Sequence, residues 1–135
     1  WTNNFSSLSN GCGNTGSALV TFTATDSSSN FTSSTATFII EDTIKPVITS
    51  SPTNLTVQCD GVGNTTDLND WLANNGGATA TDVCSGVTWS NNFTGLSDLC
   101  GATGSATVIF TATDLCSGLA STTSATFTIE DTTAL

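Results

Sequence analysis

Histidine, methionine, tyrosine and arginine are absent from this 135-residue chain, and Lys45 is its one basic side chain against 11 acids, for a formal net charge of −10. Neutralising nucleic-acid phosphates needs Lys or Arg, so nucleic-acid binding is excluded. An anionic membrane surface is disfavoured for the same reason. Without histidine, neither a Ser-His nor a Cys-His nucleophile pair can form within the chain. The acids fall singly in turns or at one junction, not among aromatics in a cleft, so paired-carboxylate chemistry is not assembled and the chain reads as non-enzymatic. Zinc is excluded by the lack of both histidine and any Cys-x-x-Cys spacing. No apolar run approaches the roughly 20 residues of a membrane span. No charged leader followed by an apolar segment is present either, so any export signal is expected outside these residues.

What the chain does contain is a copy of itself. "WTNNFSSLSNGCGNTGSALVTFTATD" at Trp1 returns as "WSNNFTGLSDLCGATGSATVIFTATD" at Trp89, with 18 of 26 positions identical. After a one-residue shift in a Ser/Gly-rich turn, Ala36 to Thr43 match Ala125 to Thr132 at seven of eight positions. Insertions are tolerated in such turns. The stretch 44–88 has no counterpart, so the unit is roughly 90 residues, too long for a thin solenoid and suited to a string of small domains. The junction "IIEDTIKPVITSSP" reads as strand, linker, strand. Residues 44–135 are therefore expected to be one complete domain and residues 1–43 the later half of a preceding one. Half a domain cannot bury its apolar face alone, so something outside this chain is expected to complete it.

Strand periodicity dominates. In "SATVIFTATD" Ala106, Val108, Phe110 and Ala112 share one face and Thr107, Ile109, Thr111 and Thr113 the other, and "SATFTIED" alternates in the same way. With "PVITSSP", "NLTVQCD", "ATATD" and "VTWSNNF", these short strands predict an all-β fold, an immunoglobulin-like Greek-key β-sandwich. "TTDLNDWLANNGG" departs from the pattern. Leu68, Trp71 and Leu72 at i, i+3 and i+4 predict one short helix per repeat, capped by Thr66 or Asp67, stopped by Gly76-Gly77, with Trp71 plugging one end of the sandwich.

Four cysteines in the complete domain allow three pairings. Cys100 and Cys116 flank a strand of about ten residues, which holds them some 30 Å apart, far beyond disulfide reach. Cys59 and Cys100 fall at one end of a sandwich of alternating strands, and Cys84 and Cys116 in the "TDVCSG" and "TDLCSG" turns at the other. The expected bridges are Cys59–Cys100 and Cys84–Cys116. In the half domain Cys12 remains while Ser27 to Ser29 replace the second cysteine turn, so Cys12 is expected to bond to a cysteine outside the chain. Two bridges in a small domain suit an oxidising, extracellular compartment.

The runs "NLTVQCDGVGNTTDLNDWLANNGGATATD", "ATATDVCSGVTWSNNFTGLSDLCGATGSATVIFTATD" and "TATFTIEDT" together resemble the HYR-like, immunoglobulin-like tandem repeats of very large Bacteroidota surface adhesins, including the gliding-motility type exported by type IX secretion. The resemblance implies a stalk of many such domains at the cell surface, and it departs at Ser27 to Ser29. In such proteins Asp-Thr followed by a small apolar residue or Thr signals O-glycosylation, which makes Thr43 and Thr132 candidates. The sequons at Asn4, Asn30, Asn54, Asn64 and Asn92 carry less weight in so Asn- and Thr-rich a chain.

Asp82 and Asp114 in the paired turns, with Glu41 and Asp42 at the junction, are candidate calcium ligands, since a hard cation takes six to eight oxygens. The competing role is turn capping by Asx bonds. Two alternatives to the stalk stand beside it. One is a discrete filament subunit whose half sandwich is completed by strand donation from another chain. The other is a carbohydrate-binding accessory module, for which Trp1 and Trp89 would have to be exposed platforms instead of core or cross-strand residues.

Overall fold

The computed structural model describes residues 1–97 and 101–134. The chain divides into two compact units, Trp1–Thr43 and Ile44–Leu135. In the first, β1 (Thr2–Asn3), β2 (Gly16–Thr25) and β3 (Phe31–Ile40) form an antiparallel sheet in that order. Asp26 makes the β2–β3 turn. Its carboxylate accepts the backbone N–H groups of Ser28 (2.8 Å) and Asn30 (2.9 Å) and the Asn30 side-chain amide (3.0 Å).

The second unit contains β4 (Val47–Ser50), β5 (Leu55–Gln58), α1 (Thr65–Ala73), β6 (Thr79–Thr81), β7 (Val87–Asn91), β8 (Gly104–Asp114) and β9 (Ala120–Glu130). One sheet runs β5-β9-β8-β7 and a second pairs β4 with β6. The all-β sandwich with one short helix expected from the alternation is what forms. Val108, Phe110, Ala112, Ala125, Phe127 and Ile129 point inward and are buried. On the outward row the Thr107 and Thr126 hydroxyls bond across the strands at 2.9 Å, the cross-strand use that favours Thr in sheets.

One pairing departs from simple alternation. β5 joins β9 in parallel, with Leu55 opposite Phe127 and Gln58 opposite Glu130, while β8 and β9 are antiparallel. Parallel neighbours need a long crossover, and α1 lies within the one that follows β5.

The helix differs from expectation at its start. Asn64 in a left-handed conformation, not Thr66 or Asp67, stands at the N-cap, and its side chain does not cap the helix. Asn64 instead ties down the loop before the helix: its amide donates to the Gln58 carbonyl (2.9 Å) and to Asp67 (3.2 Å), and its Oδ1 accepts Asp60 N–H (3.2 Å). The stop comes earlier than expected: α1 ends at Ala73 with Asn74 as its C-cap, Asn75 follows at φ 55, and Gly76 and Gly77, both at positive φ, lie in the short 3-10 turn Asn75–Gly77 beyond it. Trp71 lies over the body of the core and does not plug one end. Its ring meets Phe110 edge-on at 5.3 Å and Phe127 at 5.6 Å, and its indole N–H donates to the Thr53 carbonyl at 3.0 Å.

The repeated sequence folds into a repeated register. Thr2↔Thr23 and Asn3↔Phe22 in the first unit match Ser90↔Thr111 and Asn91↔Phe110 in the second. Gly16↔Ile40 likewise matches Gly104↔Ile129. The shared "WxNNF" motif is spent twice on the same bonds: Asn4 and Asn92 each accept the backbone N–H of a strand residue, Thr21 and Ile109, at 2.8 Å.

Candidate functional site

The two Asp-x-Cys-Ser-Gly turns of the second unit meet at one end of the sheet. Asp82 accepts the N–H groups of Cys84 (2.9 Å) and Ser85 (3.3 Å), and Asp114 accepts those of Cys116 (2.7 Å) and Ser117 (3.3 Å), so each aspartate caps its own turn. Ser117 Oγ adds a bond to Asp114 at 2.7 Å. The turns are joined by Leu115 N–H to the Gly86 carbonyl at 3.0 Å and by Ser85 Oγ, which donates to Asp114. Ser85 thereby reaches both carboxylates, by its amide to Asp82 and its hydroxyl to Asp114.

Carboxylate oxygens of Asp82 and Asp114 lie within 4.8 Å of one another. Asp114 is buried with its oxygens accepting the donors named above, whereas Asp82 Oδ2 is a buried atom with no hydrogen-bond partner among the described residues. Of the four acids expected to serve calcium, these two share a turn pair; Glu41 and Asp42 belong to the first unit. The hydrogen bonds make both residues turn caps, and they leave Asp82 Oδ2 unused among the described residues.

The cysteines are arranged as follows. Cys12 and Cys116 are each disulfide-bonded. The turns that carry Cys84 and Cys116 are adjacent, as the spacing expected. The two turns meet through Ser85, Asp114 and backbone groups. Cys59 donates its N–H to the Glu130 carbonyl at 2.7 Å, which puts it at the end of the sheet where β8 begins. Cys100, its expected partner, and the nearby Asp98 lie outside the described residues. Among those described, Cys59 has no disulfide.

Thr43 and Thr132 are both exposed. Thr132 is engaged: its hydroxyl donates to Gln58 Oε1 at 2.6 Å and its N–H to the same oxygen at 3.2 Å. Among the sequons, Asn64 is only 3% exposed with its amide nitrogen doubly bonded, so it serves the fold. Asn54 accepts Thr126 N–H at 2.9 Å, another structural use.

The largest contrast between the two copies lies on their inner faces. Phe110 and Phe127 are 0% exposed, while their repeat mates Phe22 and Phe38 are 40% and 60% exposed. Trp89 packs against the core, but Trp1 is 86% exposed, contrary to the expectation of a core or cross-strand role. The physical reason is the layer that residues 44–80 supply to one copy. β5, Leu68 and Trp71 close the second sheet, and among the described residues the first unit has no helix and no strand beyond β3. This open face was legible in the sequence as the unmatched stretch 44–88. Phe38 on that face carries no mark of exposure in the sequence, because its β9 mate Phe127 sits in the same local pattern and is buried.

No helix among the described residues is long and apolar enough to cross a membrane. Compared with protein-family models and with curated proteins, the chain matches none.

Proposed function

We propose that this chain is a structural module of an extracellular adhesin stalk or surface filament, of the HYR-like, immunoglobulin-like kind that its motifs resemble. The observation that carries the reading is the repeated register: one strand-pairing plan is used twice, down to the side-chain bonds of Asn4 and Asn92. A module whose use is to be strung in series needs a reproducible sandwich and no reaction centre. The disulfide bonding of Cys12 and Cys116 suits an oxidising compartment. The Thr-rich outer rows hydrate the surface without basic charge that would hold nucleic acid or anionic lipid.

A second reading has its own support. β3 is ten residues long, carries no charge or proline, and pairs only with β2 among the described residues. Such an edge is a template for strand addition, which favours a discrete subunit polymerising by strand donation. The intact mass of denatured, non-reduced protein from its native source separates the two. A mass of hundreds of kilodaltons supports the stalk; a mass near that of these 135 residues plus glycans rejects it in favour of the subunit.

A further inference from the structure

The inner face of the first unit has a template for its cover inside the same chain. In the second unit β5 lies parallel to β9, with Leu55 opposite Phe127, Thr56 opposite Thr128 and Val57 opposite Ile129. Thr53, just before β5, is fixed by two partners: its N–H donates to the Gly76 carbonyl at 2.9 Å and its own carbonyl accepts the Trp71 indole at 3.0 Å. That clamp sets the helix so that Leu68 and Trp71 lie on Phe110 and Phe127. Every residue they rest on recurs in the first unit. Phe110 corresponds to Phe22, Phe127 to Phe38 and Ile129 to Ile40, in the same strand register.

From this correspondence we infer that the first unit is a docking surface for a strand–loop–helix segment with the pattern of residues 53–77. Its strand adds in parallel along β3, placing apolar side chains opposite Phe38 and Ile40, and its helix lays an indole between Phe22 and Phe38. The occupant is the opening segment of another repeat of this kind, which rests on the tandem-module reading. A second whole copy of this chain is the poorer occupant, because its residues 53–77 are already engaged with its own Phe110 and Phe127. Recognition runs through main-chain bonds and apolar pockets, since β2 and β3 carry no charged residue for a partner to match.

The test is a chain extended by a second copy of its own residues 44–88 joined directly before Trp1, the order in which those residues precede Trp89. Hydrogen exchange is followed at the β3 amides, with β9 as internal reference. Docking is expected to slow exchange at the edge-facing β3 amides at least tenfold relative to the unextended chain. Trp71→Ala made only in the added copy should return them to the faster rate. Unchanged β3 exchange in the extended chain overturns the proposal. Sedimentation of the unextended chain supplies a separate arm: a dimer in which β3 is already protected and Phe38→Asp restores the monomer makes the occupant a second copy and also overturns it. Slowed β3 exchange together with a small native mass would reject the stalk while leaving the docking surface in place.

Discussion

Asp60 and Asp26 hold their turns with amide donors. At Asp60 the N–H of Val62, then that of Asn64, holds the carboxyl below its ordinary value; at Asp26 the Asn30 side-chain amide does so first, then the Asn30 N–H. A carboxyl whose folded pKa lies below its unfolded value, about 3.9, stabilises the fold above that value. The contribution is lost as pH falls through the folded pKa. Carboxyl-carbon shifts followed against pH should therefore give midpoints for both residues below the unfolded value, and a midpoint at or above it would refute the account. Asn64 shows where single residues were illegible. In the sequence it reads as a sequon before a capping threonine, yet it is a buried polar group whose partners come from Gln58, Asp60 and Asp67. The run "CDGVGN" announces a tight turn, but it does not say which side chain will be turned inward to hold it.

Elements were legible where periodicity is long. The alternation of "SATVIFTATD" fixed both the strand and its inward row, and the i, i+3, i+4 spacing of Leu68, Trp71 and Leu72 fixed the helix. The parallel approach of β5 was not legible, because a four-residue strand carries no sign of the direction of its neighbour. The turn after α1 ties these elements together. Gly76 is buried at φ 64, and a Cβ there would stand 2.9 Å from the Pro52 Cβ and 3.3 Å from both Phe110 and Trp71. Both the backbone conformation and the space require glycine. Gly76→Ala should lower unfolding free energy by about 1–3 kcal/mol, as overpacking does, and urea denaturation will measure it. An unchanged midpoint would mean that the Thr53–Trp71 clamp tolerates displacement. A second close approach recurs in both copies: a Cβ at Gly16 or Gly104 would run into the backbone carbonyl of Ser9 or Ser97, which explains why "TGS" is kept in each.

At the scale of the whole molecule, one strand-pairing plan occurs in a covered and an uncovered form. The covering layer, not the sheet sequence, decides burial, which is why identical phenylalanines differ so widely in exposure. Local stability should follow the same division. In native-state hydrogen exchange of the chain as it stands, β3 amides are expected to exchange at least tenfold faster than their β9 mates; equal protection would show that the inner face of the first unit is closed by something else. The parallel pairing of β5 with β9 has a mechanical meaning for a module proposed to work in series. Pull that enters β5 at its leading end and leaves β9 at its trailing end draws the two strands past each other lengthwise. The bonds between Leu55–Gln58 and Phe127–Glu130 are then strained together in shear, whereas an antiparallel pair pulled from one end would lose its bonds singly, in succession, like a zip.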